Sequence, residues 1–280
     1  MIKMVRFADV SLCTESFGSP GNPTLLLVMG AASSMIWWEE PFCHALAEKG
    51  FYVIRYDNRD TGKSTSYPPG APGYTFEEMA DDAMRLLDAY EIQKAYIMGM
   101  SMGGMLTQMS ALRHPERVMG IVLLASMYFA AGAEQLPGMS GEVADYFRQN
   151  SGPDPEEAGA LAEYAFGQWC ATHKSSRVND LAYIHDLIRL DVERAVNYHS
   201  RINHNHAQVI EDWLGKIAEI KAPTLVIHGD EDIVVPYPHG QMLAKTIPGA
   251  VLHTMKGAGH ELNAQDFAPV EDAITQRFQI

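Results

Sequence analysis

Short, strongly apolar runs separated by longer amphipathic segments are the feature of this sequence that most constrains its fold. Six such runs occur: Thr24–Met29, Tyr52–Tyr56, Ala95–Met100, Ile121–Ala125, Pro223–His228 and Ala250–Met255. Strands that are apolar along nearly their whole length are buried on both faces, as in a parallel sheet covered by helices. Because helical patterns lie between the runs, the sequence predicts an α/β fold with a mostly parallel central sheet flanked by helices.

The segment Thr75–Tyr90 shows the helical pattern most clearly. Thr75 followed by Glu78 has the spacing of a capping box, in which each side chain bonds the backbone N–H of the other residue. The apolar residues fall on one stripe at helical spacing, namely Phe76, Met79, Ala80, Ala83, Leu86, Leu87 and Tyr90. The pattern predicts an amphipathic helix that packs on the sheet.

The alternation of strand and helix is interrupted once. The stretch 126–221 has helical patterns but no convincing strand, is rich in Met and aromatic residues, and has Pro and Gly clustered at 137–141 and 152–155. Ligands of open α/β sheets bind just beyond the carboxyl ends of the strands. We therefore interpret 126–221 as a helical cap, or lid, inserted between core strands, with 1–125 and 222–280 forming the core domain. An independent small domain is the alternative.

Charge and cysteine content limit the partners. The formal net charge is −14 at pH 7, and an acidic surface repels phosphate backbones and anionic lipids, so we expect neither nucleic acid nor membrane as a partner. The scattered cysteines Cys13, Cys43 and Cys170 fit a reducing compartment better than a disulfide framework. No signal-type apolar run occurs in Met1–Ser11, and no stretch is long enough to span a bilayer. We expect a cytoplasmic monomer or homodimer that acts on a small molecule.

The stretch from Gly99 to Gly104, which reads GMSMGG, carries the strongest functional signal. It places Ser101 between a predicted strand, 95–98, and a predicted helix, 102–113. A serine on such a sharp turn projects from the sheet, and the flanking positions must be small because the turn has no room for side chains. Ser101 is therefore the predicted nucleophile, and an ordinary serine in a Gly-rich turn is the alternative.

A nucleophilic serine needs a base, and position in the chain selects His260 among the 11 histidines. His260 lies in the glycine-flanked loop 257–262, directly after the last predicted strand, which places it at the same sheet edge as Ser101. His204 and His206 have the spacing of a metal pair, but no third ligand stands at helical spacing. No metal and no cofactor is expected, since catalysis by serine and histidine requires neither.

The acid that orients the imidazole is expected directly after the predicted strand 223–228, in Asp230-Glu231-Asp232. Asp232 is preferred because it lies farther out in the loop, ahead of Pro236, a residue suited to the first turn of a helix. Asp230 is the alternative. The resulting chain order of Ser, Asp and His is the order found with a nucleophile turn of this kind.

Two backbone N–H groups are expected to bind the oxyanion. One belongs to Met102, directly after the nucleophile, and the other to Ala31 in the loop after the first apolar run. Gly30 permits a close backbone approach there.

The substrate pocket is expected to be apolar, because Met side chains pack adaptably around varied shapes. Packing between helix and lid is the alternative for the two tryptophans among the candidates. These are Trp37, Trp38, Met127 and Phe129.

As an ordered set, these motifs resemble the landmarks of the α/β-hydrolase superfamily. Within it, the VMG stretch, the RDTGKS stretch and the SMGG turn are most similar to the family of aclacinomycin methylesterase, whose members have a similar length and remove a methyl ester from a polycyclic polyketide. The resemblance implies hydrolysis of a carboxylic ester, and it does not extend to the cap. It is carried by Leu25–Gly30, Asp57–Ser64, Gly99–Gly104, His114–Val118, His228–Pro236 and Gly257–His260.

The charged stretch Asp57–Ser64 is interpreted as structural, a polar turn whose Asp and Arg residues pin the end of a strand.

The sequence thus predicts a serine hydrolase that cleaves a small or medium apolar ester, a methyl ester among them, through a Ser-His-Asp triad and an acyl-enzyme. Cofactor-free perhydrolysis of the haloperoxidase type, carbon–carbon bond hydrolysis and lactone opening use the same groups and are alternatives. A dehalogenase would carry a carboxylate at position 101. The alternative of another class is a non-catalytic ligand receptor on the same scaffold.

Overall fold

The computed structural model describes residues 2–150 and 157–280, and its centre is an eight-stranded sheet in the order β1-β2-β4-β3-β5-β6-β7-β8. Strand β2 runs antiparallel to both of its neighbours, and all other pairs are parallel, which confirms the predicted sheet. In chain order the strands are β1 (Ile2–Phe7), β2 (Val10–Phe17), β3 (Thr24–Val28), β4 (Tyr52–Tyr56), β5 (Ala95–Met100), β6 (Val118–Leu124), β7 (Thr224–Gly229) and β8 (Val251–Met255).

The hairpin of β1 and β2 has no counterpart among the predicted strands. Strand β1 lies at the edge of the sheet, where Ile2 and Met4 are 58% and 41% exposed and Val5 is buried. Because an edge strand is not buried on both faces, it lacks the continuous apolar run by which the inner strands were predicted.

Helices cover both faces of the sheet. Among the helices within the described ranges, none is both long enough and apolar enough to cross a bilayer. They are α1 (Glu40–Glu48), α2 (Phe76–Ala89), α3 (Met102–Arg113), α4 (Gly141–Gln149), α5 (Ala158–Thr172), α6 (Leu181–Arg194), α7 (Pro238–Thr246) and α8 (Ala264–Phe278).

Each face of the sheet has its own apolar core. In β3, Leu25 and Leu27 pack with residues of α1 and α8, whereas Leu26 and Val28 pack with residues of α2, α3 and α7. Successive side chains of a strand point to opposite faces, so a strand between two helical layers must be apolar throughout.

Helix α2 confirms the predicted amphipathic helix and its capping box. The Thr75 hydroxyl oxygen accepts a hydrogen bond from the Glu78 backbone at 3.3 Å, and the Thr75 N–H donates to the Glu78 carboxylate at 2.9 Å. These bonds satisfy the backbone N–H groups of Thr75 and Glu78, which would otherwise have no partner at the start of the helix.

The segment between β6 and β7, residues 126–221, is called the insertion below. It contains α4, α5 and α6, with short 3₁₀ segments that include Tyr198–Asn205 and Leu214–Glu219. The cluster at 152–155 singled out in the sequence lies outside the described residues. Helices α5 and α6 share a small apolar core, against which Trp37 of the sheet domain also packs: Leu161, Ala162, Ala165, Trp169, Ile184, Ile188 and Val192.

Candidate active site

Ser101 lies on a strained turn between β5 and α3. Its φ and ψ are 52° and −119°, a conformation that non-glycine residues rarely adopt and that costs about 1–3 kcal/mol. A Cβ at Gly99 would lie 2.1 Å from the Gly103 carbonyl oxygen, and a Cβ at Gly103 would lie 2.1 Å from the Val28 carbonyl oxygen. The glycines are therefore required because backbone meets backbone on both sides of the serine.

The loop after β3 lies directly beside this turn. A Cβ at Gly30 would lie 3.3 Å from the Cβ of Ser101, so a larger residue at position 30 would crowd the serine. The next residue, Ala31, follows Gly30 directly in this loop.

His260 and Asp232 are brought together from the loops after β8 and β7. The imidazole Nδ1 lies 2.7 Å from a carboxylate oxygen of Asp232, and the two residues are 8% and 5% exposed. An ionised carboxylate only accepts hydrogen bonds, so Nδ1 carries the hydrogen and Nε2 is left to take up a proton. Since parallel strands end at one edge of the sheet, both loops lie at the edge where Ser101 follows β5.

The carboxylate of Asp232 is held in its ionised form. Its second oxygen accepts hydrogen bonds from the backbone N–H groups of Val234 and Val235, both at 2.8 Å. Burial raises the pKa of Asp232, but the charge and hydrogen bond of His260, the charge of His228 and the hydrogen bond from Val235 together lower it by more, so the net pKa is below the usual value.

The same pair shifts His260 in the opposite direction. Burial lowers the pKa of His260, but the charge and hydrogen bond of Asp232 and the charge of Glu261 together raise it by more, so the net pKa lies above the usual 6.5. A histidine with such a partner is a stronger base than a free imidazole.

The other two acids of the loop have different partners. Asp230 accepts hydrogen bonds from the Lys256 ammonium at 2.9 Å and from the Gly257 backbone at 2.7 Å. Glu231 accepts from the backbone and hydroxyl of Ser176. The geometry therefore favours Asp232 over Asp230 as the partner of the imidazole.

The two N–H groups expected to bind an oxyanion are free of protein acceptors among the described residues. Met102 is the first residue of α3, where the N–H has no partner within the helix. Ala31 donates no hydrogen bond within the same ranges, although its neighbour Ala32 does. Neither N–H group is therefore committed to a protein acceptor within the described ranges.

The predicted pocket residues fall into different environments. Trp38 is 0% exposed and stacks on Phe42 at 6.1 Å, so the alternative of packing explains it. Trp37 is half-buried against the insertion, and its indole N–H donates to Asp191 at 2.9 Å. Met127 is half-buried just after β6, and Phe129 is 42% exposed.

Several polar residues near the site belong to none of the sequence motifs and were not predicted to lie there. His173 of the insertion lies 6.4 Å from His260 between ring centroids and stacks on Trp169 at 4.4 Å. Burial lowers the pKa of His173 to about 3, so the ring is neutral. Asp191 and His204 bond the loop that carries Ala31. In the sequence His204 attracted attention only as part of a possible metal pair.

Residues 23–267 match the family model of the alpha/beta hydrolase fold. The match covers most of the chain, and the chain belongs to this family. The predicted fold class is confirmed.

Comparison with named relatives indicates the kind of hydrolase to which the chain is similar. The chain is 30% identical over 290 residues to the rhodomycin D methylesterase DauP of Streptomyces sp. (strain C5), covering 97% of this chain and 96% of the relative. Identity to the rhodomycin D methylesterase DnrP of Streptomyces peucetius is 28%, with the same coverage. A solved hydrolase from Pseudomonas aeruginosa PA01 is 28% identical, with a TM-score of 0.73, over 100% of this chain and 98% of the other. The resemblance to methylesterases is confirmed, and the protein is a hydrolase.

Proposed function

We propose that the protein hydrolyses a carboxylic ester, with Ser101 as nucleophile, His260 as general base and acid, and Asp232 as the acid that orients the imidazole. The observation that carries this proposal is the 2.7 Å hydrogen bond between His260 and Asp232 at the sheet edge where Ser101 occupies its strained turn. Membership of the hydrolase family and the named methylesterases support ester hydrolysis as the class of reaction.

In the first half of the reaction, Nε2 of His260 takes the proton of the Ser101 hydroxyl as Oγ attacks the ester carbonyl carbon. The electron pair of the C=O bond moves to the oxygen, and the N–H groups of Ala31 and Met102 stabilise the resulting oxyanion. Asp232 stabilises the imidazolium and keeps Nε2 directed at the reacting atoms. When the carbonyl reforms, the C–O bond to the alcohol breaks, and the alcohol leaves with the proton from His260.

In the second half, His260 takes a proton from water, and the hydroxide oxygen attacks the acyl-enzyme. Collapse of this second oxyanion releases the acid and returns the proton to Oγ of Ser101.

We further propose as the substrate a methyl ester of a polycyclic apolar acid, larger than the small or medium ester that the sequence alone predicts. Two relatives of this chain, DauP and DnrP, are named rhodomycin D methylesterases. Each aligns with 97% of this chain over 96% of its own length. Half-buried Met127 and exposed Phe129 lie at the start of the insertion, just after β6, and offer apolar surface to such an acid.

The test is turnover of p-nitrophenyl esters of increasing acyl length, followed by methanol release from methyl esters of short and of polycyclic acids. Ser101→Ala is expected to lower kcat by about a million-fold, as removal of a triad serine does. Ser19→Ala is the matched control, because Ser19 is exposed in the loop before β3. Methanol release that favours polycyclic acids supports the substrate class, and equal rates on short acids contradict it.

A serine-directed fluorophosphonate separates the two parts of the proposal. If the wild type is labelled at Ser101 but hydrolyses no ester, Ser101 remains the assigned nucleophile and ester hydrolysis is refuted. Substrates for carbon–carbon bond hydrolysis, lactone opening and perhydrolysis would then be tested. A receptor would bind ligand and retain it after a single slow turnover. Absence of label on Ser101 would refute the assigned nucleophile.

A further inference from the structure

The loop 29–38, called the oxyanion loop below, is bonded on one side by the core. The Asn58 amide donates to the Met29 carbonyl oxygen at 3.1 Å, and the Met35 N–H donates to the Asp57 carboxylate at 2.8 Å. These bonds lie at the two ends of the segment that contains Ala31, and neither of them holds its middle.

The middle of the oxyanion loop is bonded by the insertion. Nδ1 of His204 accepts the Ala32 N–H at 2.9 Å, and Nε2 lies 2.7 Å from the Arg59 carbonyl oxygen. An amide donates and a carbonyl accepts, so His204 is neutral with its hydrogen on Nε2. Burial lowers the pKa of His204, which is 3% exposed, and this favours the same neutral form.

A second buried residue of the insertion bonds the same loop. The Asp191 carboxylate accepts hydrogen bonds from the Ser34 hydroxyl and from the Trp37 indole N–H. Asp191 is 3% exposed, so both bonds are shielded from water.

Ala32 needs such support because its backbone is strained. Its φ is +61°, in the left-handed region, which a non-glycine residue keeps only when its surroundings hold it there. The peptide unit that joins Ala31 to Ala32 carries the N–H bonded by His204, and Gly30 on the other side lies against Ser101. Ala31 is thus placed between one residue packed on the nucleophile and one residue held by the insertion.

We propose that His204 is a positioning residue for the oxyanion hole: its bond to Ala32, helped by the bonds of Asp191 to Ser34 and Trp37, sets the direction of the Ala31 N–H. This inference rests on the proposed function of Ala31. The insertion therefore takes part in transition-state stabilisation without touching the reacting atoms.

A misdirected donor costs rate more than substrate affinity, because it acts on charge that develops only in the transition state. Removal of one oxyanion donor lowers kcat by about 10²–10³-fold, so displacement of a donor is expected to cost about 10- to 100-fold. KM is expected to change by less than about threefold.

The experiment compares His204→Leu, His204→Gln and His206→Leu with the wild type. Leucine removes both hydrogen bonds, whereas glutamine keeps an acceptor for Ala32 and a donor for Arg59. His206 is the matched control, because it lies two residues away and is exposed. We expect the loss of kcat in His204→Leu, recovery to within about threefold in His204→Gln, and wild-type behaviour in His206→Leu.

Thermal unfolding midpoints show which variants are folded, and a trifluoromethyl ketone analogue supplies a readout that a merely structural role would not change. Its affinity is expected to fall with kcat in His204→Leu. If that variant does not fold, His204→Ala replaces it, since alanine also removes both hydrogen bonds. A folded variant without either bond that keeps wild-type kcat and analogue affinity overturns the proposal, as does a failure of glutamine to restore them.

Failure of the proposed ester function is distinguished by the wild type. If the wild type turns over no ester, rate constants of fluorophosphonate labelling at Ser101 replace kcat for the same variants. Slower labelling in His204→Leu with recovery in His204→Gln supports the positioning role, and equal rates refute it.

Discussion

The core and the insertion meet at the candidate site, and they hold it by different means. The core shapes Ser101 through close backbone contacts that only glycine allows at positions 99 and 103. The insertion acts through buried side chains, such as Asp191 and His204, that bond a loop of the core. The serine turn is shaped by backbone contacts within the core, whereas the oxyanion loop is also bonded by side chains of the insertion.

The insertion itself is uneven. Its part from 173 to 205 is tied to the core by buried or half-buried bonds, among them those of Ser175 to Glu261 and of Arg194 to Asp57. Its start also bonds the core, through Tyr128 to His239 and Ser140 to Ile233, but it exposes two aromatic rings, Phe129 and Phe147, at 42% and 41%. The tied part therefore bonds the loops of the candidate site, and the start of the insertion is the part to which we assign substrate contact in the proposed function.

The largest effect outside the nucleophile is expected within the core. Asp232→Asn should lower kcat by about 10⁴-fold, because an amide leaves the imidazole in the wrong tautomer. Asp230→Asn is the matched control and should stay near wild type, since Asp230 bonds Lys256 and Gly257 instead. Steady-state kinetics on a p-nitrophenyl ester measures both, and the reverse result would assign the triad acid to Asp230.

The next effect tests how firmly the insertion is tied to the core. Arg194 donates to both carboxylate oxygens of Asp57 at 2.8 Å, and Asp57 is fully buried. Arg194→Ala should lower the free energy of unfolding by about 3–5 kcal/mol, because it leaves a buried charge unpaired. Denaturant unfolding measures it, with Lys49→Ala, which removes an exposed ion pair with Asp272, expected to be neutral. A similarly small change in both would show that the bond to the insertion contributes little.

The pH dependence of kcat/KM tests whether the core or the insertion determines the pKa of His260. The base acts unprotonated, and the pKa of His260 is raised above 6.5, so kcat/KM should fall about tenfold per pH unit below a pKa higher than 6.5. Asp232→Asn should move this acid limb to lower pH, because burial alone lowers the pKa of His260. His173→Gln should leave the limb in place, because His173 is already neutral. If the acid limb shifts in His173→Gln, His173 of the insertion influences the pKa of His260.

The smallest effect is expected at the start of the insertion. Phe147→Ala should lower the free energy of unfolding by about 1 kcal/mol or less, because the residue is 41% exposed and loses only part of its buried apolar surface. Ile188→Ala, in the shared core of α5 and α6 at 2% exposure, should cost about 2–5 kcal/mol. Comparable losses would mean that the two parts of the insertion are equally integrated.

Much of this protein follows from local patterns in its sequence. The inner strands appear as apolar runs because both of their faces are buried, and α2 appears through its capping box and stripe. The serine turn is visible because steric exclusion demands glycine at fixed distances from Ser101. Each of these features shows as a pattern within a short stretch of sequence, even where its cause is a distant contact such as that of Gly103 with Val28, so one sequence suffices to predict them.

Other features of the candidate site are visible only in the tertiary structure. It joined Asp232 rather than Asp230 to His260, a choice that depends on side-chain direction in a short loop. It also placed Trp38 in the core. Asp191 and His204 lie 157 and 172 positions from the residues they bond in the oxyanion loop. Hydrogen bonds over such separations form only when the sheet and insertion have packed, and they leave no period or spacing along the chain.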